Sequence, residues 1–248
     1  MPFSHDQLVY GRHPVVATLE AEQAVDKVML QRGLRGPFEK QLRELCKHRA
    51  VPLQVVPRER LNALVRGNHQ GVIALLAAFR YQRLDDLLPV LYERGEQPLL
   101  VLLDHVTDVR NFGAIARSAE VCGAHALVIS RKGAAAANAE AVKASAGALS
   151  RLAVCRESSI LEAAKLLQAS GVRIAASHLA GESLLEEVDL TGPTALILGA
   201  EGRGVSRELI RAADVGFRIP QAGQMNSFNV SVAAGIMLYE AMRQRLKK

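Results

Sequence analysis

From residue 99 onward the chain alternates short, almost continuously apolar runs with segments of helix length. Parallel strands are buried on both faces, so their residues are apolar at nearly every position, and a crossover helix connects each strand to the next. The sequence therefore predicts an α/β fold in this part of the chain: a mostly parallel sheet with helices on both faces. The predicted strands are LLVLLDHV, HALVIS, LAVCR, RIAAS, ALILG and GFRIP.

Residues 1–80 show a separate and shorter alternation, which predicts a small α/β domain. Helical patterns cover 12–21, 37–48 and the stretch after Pro57, and strand-like runs lie at 26–31, 53–56 and 72–79. The segment 81–98 is charged and contains two prolines, so we expect a linker with one short helix there. The larger domain then spans residues 99–248.

The positive charge is concentrated in the first third of the chain. Lysine and arginine number 31 against 25 aspartate and glutamate residues, a net charge of +6. Residues 1–80 carry 12 basic and 7 acidic side chains, a net of +5, whereas the remainder carries 19 and 18, a net of +1. A basic small domain attached to a nearly neutral larger one indicates that the front part binds a polyanion. Charge alone is equally compatible with a solvated, mildly basic surface.

Several classes of protein are disfavoured by what the sequence lacks. No apolar run reaches membrane-spanning length, and the first ten residues lack the apolar core of a signal peptide. Cys46, Cys122 and Cys155 form no C-x-x-C pair, and no histidine or cysteine cluster has metal-ligand spacing. We therefore expect a cytoplasmic protein with buried, reduced thiols, no metal site and no membrane segment.

Ligands of a parallel sheet bind beyond the carboxyl ends of its strands, so chemistry is expected in the loops that follow those ends. Three such loops hold more glycine and polar residues than a turn requires: residues 104–120, 198–209 and 217–235. Because the carboxyl ends of parallel strands lie at one edge of the sheet, we expect the three loops to converge there.

The first loop leads into a helix whose composition is unusual. Asp108 or Asn111 could cap this helix, whereas Gly113 weakens it and adds nothing as a cap. Arg117 lies among apolar residues, where a guanidinium needs a partner if it is buried. A cap followed by an exposed arginine is the simpler alternative for this loop taken alone.

The second loop contains Gly199, Gly202 and Gly204 with the spacing G-x-x-G-x-G. This is the reverse of the dinucleotide-binding fingerprint, and Glu201 between the glycines would repel a phosphate. Both features count against a nucleotide-dependent oxidoreductase. Glu201 could instead pair with Arg117 or bind a cation or a hydroxyl, and a solvent-facing glutamate remains the plain alternative.

The third loop precedes a stretch that, from Val230 onward, has the pattern of an ordinary buried helix, with its apolar residues on one stripe. Asn226, Ser227, Asn229 and Ser231 lie within six positions, although a single polar residue is enough to cap a helix. The excess of polar side chains predicts that this helix start also belongs to a binding site.

Together the three loops resemble, in order and at comparable separations, the three motifs of the SpoU (TrmH-type) family of RNA ribose 2′-O-methyltransferases, within the SPOUT superfamily. The matching segments are D-H-V-T-D-V-R-N-F-G-A-I-A-R, L-G-A-E-G-R-G and I-P-Q-A-G-Q-M-N-S-F-N-V-S-V-A. The resemblance covers the chain from about residue 99 to 245. The front part resembles the ribosomal-protein-like substrate-binding domain of many members, through Y-G-R-H-P-V near its start and N-H-Q-G-V near its end. Val109 stands where the family usually has proline, so we expect a slightly looser turn.

The resemblance implies a deep trefoil knot in the C-terminal sheet, which composition and periodicity alone do not predict. It also implies that S-adenosylmethionine is the methyl donor and is held in the knot largely by backbone groups. Carried over by motif, the cofactor-binding residues are Gly199, Ile219 and Phe228, with Leu198 and Pro220 as an apolar wall and Ser177 and His178 beside the pocket.

The catalytic residues implied by the resemblance are Asn111, Arg117, Glu201, Ser227 and Asn229. A ribose 2′-hydroxyl is a poor nucleophile and must lose its proton near the transition state. Arg117 matches the family arginine proposed to take that proton or to stabilise the oxyanion. Because a guanidinium stays protonated, we favour stabilisation by charge. Glu201 would orient Arg117, while the two asparagines and the serine would position the ribose and the helix start.

The same resemblance implies RNA and a second copy of the chain as partners, because members are usually dimers through the knot region. Whether Arg117 acts in its own subunit or across the dimer stays open. The two-domain organisation favours a guanosine of 23S rRNA as the target; a tRNA, another rRNA nucleotide and a ribosome-assembly RNA-binding factor are the alternatives. The candidate RNA-binding residues of the front domain are Arg12, Arg32, Arg35, Arg58, Arg60 and Arg66.

Overall fold

The computed structural model describes residues 8–135, 138–223 and 227–247. The chain divides into two compact units, Met1–Arg80 and Tyr81–Lys248, and each contains its own sheet.

The first unit is a four-stranded sheet with helices packed on it. Its elements are β1 (Leu8–Tyr10), α1 (Arg12–Glu20), β2 (Val25–Gln31), α2 (Pro37–His48), β3 (Leu53–Val56), α3 (Arg58–Asn62) and β4 (Val72–Leu76). The strand order is β1-β4-β2-β3, with β2 and β3 parallel and the other two pairs antiparallel. Apart from the three-residue β1, too short to leave a pattern, these elements lie where the sequence predicts them.

The second unit is a seven-stranded sheet in which every neighbouring pair is parallel. Its elements are α4 (Leu84–Glu93), β5 (Leu99–Asp104), α5 (Val109–Val121), β6 (Ala126–Ser130), α6 (Ala139–Ala144), β7 (Ala153–Glu157), α7 (Ile160–Ala169), β8 (Arg173–Ser177), β9 (Ser183–Leu184), β10 (Thr194–Gly199), α8 (Arg207–Ala212), β11 (Val215–Arg218) and α9 (Val230–Arg245), with short 3₁₀ turns at Ala148–Ser150 and Leu185–Glu187. The strand order is β7-β6-β5-β10-β8-β11-β9. The predicted α/β architecture is confirmed.

The two faces of this sheet are covered by different helices, which explains the continuous apolar strands. Leu100 and Leu102 belong to a core formed with α4, α7 and α8. Strand alternation turns Leu99, Val101 and Leu103 to the opposite face, where α5 and α9 pack together. The five side chains from Leu99 to Leu103 are all buried.

The segment 81–98 is part of the second unit rather than a free linker. Leu84, Leu88 and Leu91 form a buried stripe on α4, and the first two lie in the sheet core. The helix tolerates Pro89 in its interior because Asp85, whose carbonyl loses its helical donor, is exposed to water.

All three cysteines are free thiols. Cys46 and Cys155 are buried as expected, and burial raises the pKa of Cys155 to about 12, whereas Cys122 is only partly covered. None of the helices in the described part of the chain combines the length and the apolar character that a bilayer crossing requires.

Candidate active site

The first loop is organised by a side-chain cap. The carboxylate of Asp108 accepts a hydrogen bond of 2.8 Å from the backbone N–H of Asn111, and α5 begins at Val109. The first helical position has no intrahelical partner for its N–H, which is why proline is favoured there and why valine is tolerated. Val109 therefore leaves the start of α5 intact.

Three residues, one from each loop, form a hydrogen-bonded network at the carboxyl edge of the sheet. Glu201 Oε1 accepts from Asn111 Nδ2 at 3.3 Å and also from Asn229 Nδ2. The same Asn229 amide lies 3.2 Å from Asn111 Oδ1. These residues are 28 to 118 positions apart in sequence, so the network exists only in the folded chain.

Asn229 explains much of the polar excess before the last helix. Its Oδ1 caps α9 by accepting from the backbone N–H of Ser231 at 2.9 Å and from the Ser231 hydroxyl at 2.6 Å. Its Nδ2 is thereby directed to Glu201. Ser227 lies exposed two positions earlier, and Asn226 falls outside the described residues.

Arg117 does not join this network. Along the axis of α5, Arg117 lies nearly two turns after Asn111. Around that axis it is about a third of a turn away from Asn111, and its side chain is exposed. Within the described part of one chain, the Glu201 carboxylate binds the two asparagines and not Arg117. The expectation that Glu201 orients Arg117 stays a prediction. The simpler alternative for this loop, a cap followed by an exposed arginine, describes what is seen.

The glycine loop is closed by backbone contacts. A Cβ on Gly199 would lie 1.9 Å from the carbonyl carbon of Gly204, and Gly204 N donates to Ala200 O at 2.9 Å. The buried Asp104, at the end of β5, accepts from Ser206 N at 2.8 Å and ties this loop to the neighbouring strand. Sequence reasoning missed Asp104; its only signal was a charged residue ending an apolar strand.

The predicted cofactor residues lie at or after the carboxyl ends of three strands that are neighbours in the sheet, β10, β8 and β11. Leu198 is buried, Gly199, Ser177, His178 and Ile219 are partly exposed, and Pro220 and Phe228 are exposed. His178 is held in two ways. Its backbone N–H donates to Phe217 O at 2.9 Å, and its ring lies so close to Gly216 that a Cβ on Gly216 would be 2.5 Å from Nε2.

These loops suit a cofactor that carries no phosphate. The glycine loop contains Glu201, and three of the predicted cofactor residues, Leu198, Ile219 and Pro220, are apolar. At loops of this composition a pyrophosphate would meet a like charge, whereas an adenosine with a cationic sulfonium would meet apolar side chains and a negative one.

Two family models match the chain along most of its length. Residues 98–239 match the SpoU rRNA Methylase family, and residues 8–82 match the RNA 2′-O ribose methyltransferase substrate binding domain. The chain belongs to the SpoU rRNA methylase family. It is therefore an RNA 2′-O-ribose methyltransferase, as the three motifs predict.

Relatives of this SpoU methylase include proteins assigned to different RNAs. The 23S rRNA (guanosine-2′-O-)-methyltransferase RlmB of Yersinia pestis is 36% identical over 244 residues, which cover 96% of this chain and 98% of that protein. The crystal structure of AviRb from Streptomyces viridochromogenes, in complex with the cofactor AdoMet, has a TM-score of 0.61 and 29% identity and covers 97% of this chain and 91% of that one. The crystal structure of a TrmH/SpoU tRNA modifying enzyme of A. aeolicus has a TM-score of 0.56 and 34% identity, and it covers 66% of this chain and 84% of that one.

The remaining predictions for this SpoU methylase concern metals and the front unit. Among the described residues, no group of histidine, cysteine, aspartate and glutamate is arranged to hold a metal ion. All six predicted RNA-binding arginines are exposed, and Arg12 and Arg58 line one cleft of about 650 Å³. The other four, Arg32, Arg35, Arg60 and Arg66, lie outside that cleft.

Proposed function

We propose that this protein methylates the 2′-hydroxyl of a guanosine ribose in 23S rRNA. The observation that carries the proposal is the network of Asn111, Glu201 and Asn229, which brings the three family motifs together at the carboxyl edge of the sheet. The Yersinia pestis relative, similar along nearly its full length, supports 23S rRNA as the substrate and hence a cytoplasmic site of action.

S-adenosylmethionine, when bound, supplies a methyl group on a positively charged sulfonium. We propose that Leu198, Ile219 and Pro220 hold its apolar parts and that backbone groups at Gly199 and Phe228 orient it, with Ser177 and His178 at the pocket margin. Support comes from the adjacency of β10, β8 and β11 and from the rigid seat of His178 against Gly216.

The polar network is proposed to position the ribose. Asn111, Asn229 and Ser227 offer amide and hydroxyl groups at one edge, and Glu201 fixes the orientation of both amides. Positioning two reactants in this way can lower a barrier by roughly 7–11 kcal/mol. Arg117 is proposed to stabilise the oxyanion and the neighbouring phosphate by charge, since a guanidinium does not give up its proton.

We further propose that the protein is a homodimer through a knotted region and that Arg117 acts across the dimer. Arg117 is exposed and separated from the network of its own chain. The outer face of α9 carries Val232 and Tyr239, which are 49% and 58% exposed, beside a groove of about 470 Å³ that Ile219 and Pro220 also line. An apolar face next to the proposed cofactor loop is suited to a partner that completes the site.

We propose that the front unit, residues 1–80, is the RNA substrate-binding domain. Residues 99–248 are proposed as the knotted catalytic domain, and residues 81–98 pack on that domain. The net charge of +5 on residues 1–80 provides salt-sensitive affinity for RNA through the six arginines.

The test is transfer of labelled methyl from S-adenosylmethionine to unmodified 23S rRNA, with wild type beside Arg117→Ala, followed by mapping of the product. A ribose methyl on a guanosine that is lost in the variant is the expected result. Transfer to tRNA only, the activity assigned to the A. aeolicus neighbour, would keep the chemistry and overturn the substrate. Cofactor binding without transfer to any RNA would favour an RNA-binding assembly factor.

A further inference from the structure

The front unit contains a polar cleft that the catalytic chemistry does not use. It measures about 650 Å³ and is formed by the start of α1, by α3 and by the loop 67–71. Arg12 and Arg58 line it, and no acidic side chain does among the described residues. This volume is within the usual range for sites that hold one small molecule or one nucleotide.

The cleft wall is held rigidly by a buried histidine. His69 Nδ1 accepts from Gly71 N at 3.0 Å, so the ring proton is on Nε2, which donates to Asn62 Oδ1 at 2.8 Å. The next residue, Gln70, is in the left-handed region at φ 50°, which a glutamine adopts only when its surroundings hold it. Its Oε1 accepts from Arg12 N at 3.0 Å and so ties the loop to α1.

These bonds use the amide oxygens of two residues that line the cleft and leave their amide nitrogens as donors. The oxygen of the Gln70 amide is used by Arg12, and the oxygen of the Asn68 amide accepts from Gln70 N at 3.3 Å. Among the described residues, the Nδ2 of Asn68 and the Nε2 of Gln70 have no partner. Amide and guanidinium donors with no facing carboxylate select a ligand rich in acceptors, such as a base edge or a phosphate.

Arg12 also provides a stacking surface. The Cζ of its guanidinium lies over the Phe38 ring, 5.0 Å from the centroid, and this cation–π contact restrains the guanidinium from one side. The same side chain lines the cleft. A guanidinium plane held in this way is a surface on which unpaired RNA bases stack.

We propose that this cleft holds one unpaired nucleotide of the RNA substrate. Its base stacks on Arg12, its edge accepts from Asn68 and Gln70, and its phosphate lies against Arg58. The inference rests on the proposed function in that the ligand is the RNA to be methylated. A base inside a duplex is covered by its neighbours and could not enter, so the cleft selects single-stranded loops over helical RNA.

The experiment compares the full-length protein and its variants for binding of two fluorescent RNAs, an unpaired 10-mer and a blunt duplex of the same sequence. Arg12→Lys keeps the charge but removes the stacking plane, and we expect it to weaken 10-mer binding by about 10-fold while duplex binding changes by less than about twofold. The double variant Asn68→Ala, Gln70→Ala should do the same. Lys40→Ala removes an exposed charge of α2 outside the cleft and should lower both affinities equally.

Equal losses on both RNAs for Arg12→Lys, or no loss on either, would overturn the proposal, since charge alone would then account for binding. A 10-mer carrying 4-thiouridine adds a test on the unaltered protein: light-induced adducts are expected within residues 67–71, and adducts found only elsewhere would also overturn it. Methyl transfer is measured separately. A wild-type protein that transfers no methyl group but still binds the 10-mer more tightly than the duplex would overturn the proposed activity and support the proposed nucleotide site in the cleft.

Discussion

At the scale of single residues, the site depends on one carboxylate that serves two amides. Glu201 Oε1 accepts from both Asn111 and Asn229, and hydrogen bonds to an ionised acceptor are stronger than those between neutral groups. Asn229 in turn uses its oxygen to cap α9. A change at Glu201 therefore affects the orientation of both asparagines, although Glu201 itself need not touch the reacting atoms.

Two substitutions at Glu201 distinguish the role of its hydrogen-bond acceptor from the role of its negative charge. Glu201→Ala removes the shared acceptor, and we expect initial rates of methyl transfer to fall about 100-fold, whereas Glu201→Gln keeps an acceptor oxygen and should stay within about 10-fold of wild type. Binding of S-adenosylmethionine, measured by calorimetry, should be retained by both. If the glutamine variant were as slow as the alanine variant, the negative charge and not the orientation would be what matters.

His69 predicts a pH dependence of the front unit. Burial, and then the nearby positive charge of Arg58, lower the pKa of His69 below its ordinary value of 6.5. The native state then binds fewer protons than the unfolded state as the pH falls below 6.5, so its stability decreases with falling pH. Melting temperatures recorded between about pH 7.5 and 5.5 should drop more for wild type than for His69→Gln. Parallel curves for the two proteins would contradict this assignment.

At the scale of elements, Gly113 is explained by the contact between two helices. A Cβ on Gly113 would lie 2.4 Å from the Cβ of Ala144 and 2.9 Å from the carbonyl oxygen of Ala141, so α6 packs directly on the backbone of α5. Gly235, within α9, has only Ser118 Oγ near its missing Cβ, at an ordinary 3.8 Å. The same residue type thus serves close packing in one helix and has no such role within the chain in the other.

This contrast provides a matched pair of variants. Gly113→Ala must push α6 away from α5 and should destabilise the protein by about 1–3 kcal/mol. Gly235→Ala enters free space inside a helix and should be neutral or stabilising by up to about 1 kcal/mol. Urea unfolding of both variants checks the difference. Equal stability of the two would mean that α6 moves aside without cost.

The elements that position the site could be predicted from sequence because their signals are local. Apolar runs from Leu99 to Gly199 mark strands, and Asp108 marks a helix start. The docking of 81–98 on the second unit was missed because charges and prolines hide a three-leucine stripe. The partners of Glu201 were also missed. The convergence of the three loops was expected, but the side chains that bond to one another there are decided by the folded geometry and not by any local pattern.

At the scale of the whole molecule, the proposal that Arg117 acts across a dimer predicts which subunit completes each site. In a dimer with two-fold symmetry, each site would combine Arg117 of one subunit with Asn229 of the other. A mixed dimer of Arg117→Ala and Asn229→Ala subunits would then contain one doubly altered site and one intact site. If both residues act within one subunit, every site of the mixed dimer is damaged.

Co-expression of the two variants with different affinity tags, followed by purification on both tags, isolates the mixed dimer. We expect it to transfer methyl groups at about half the wild-type rate, because one of its two sites is intact, while each variant alone is nearly inactive. Mixed dimers of each variant with wild type are the control and should also keep about half the rate under either arrangement. An inactive double-variant dimer beside active controls would assign Arg117 to the site of its own subunit, and the folded chain would then have to bring its exposed side chain toward Asn111 when RNA binds.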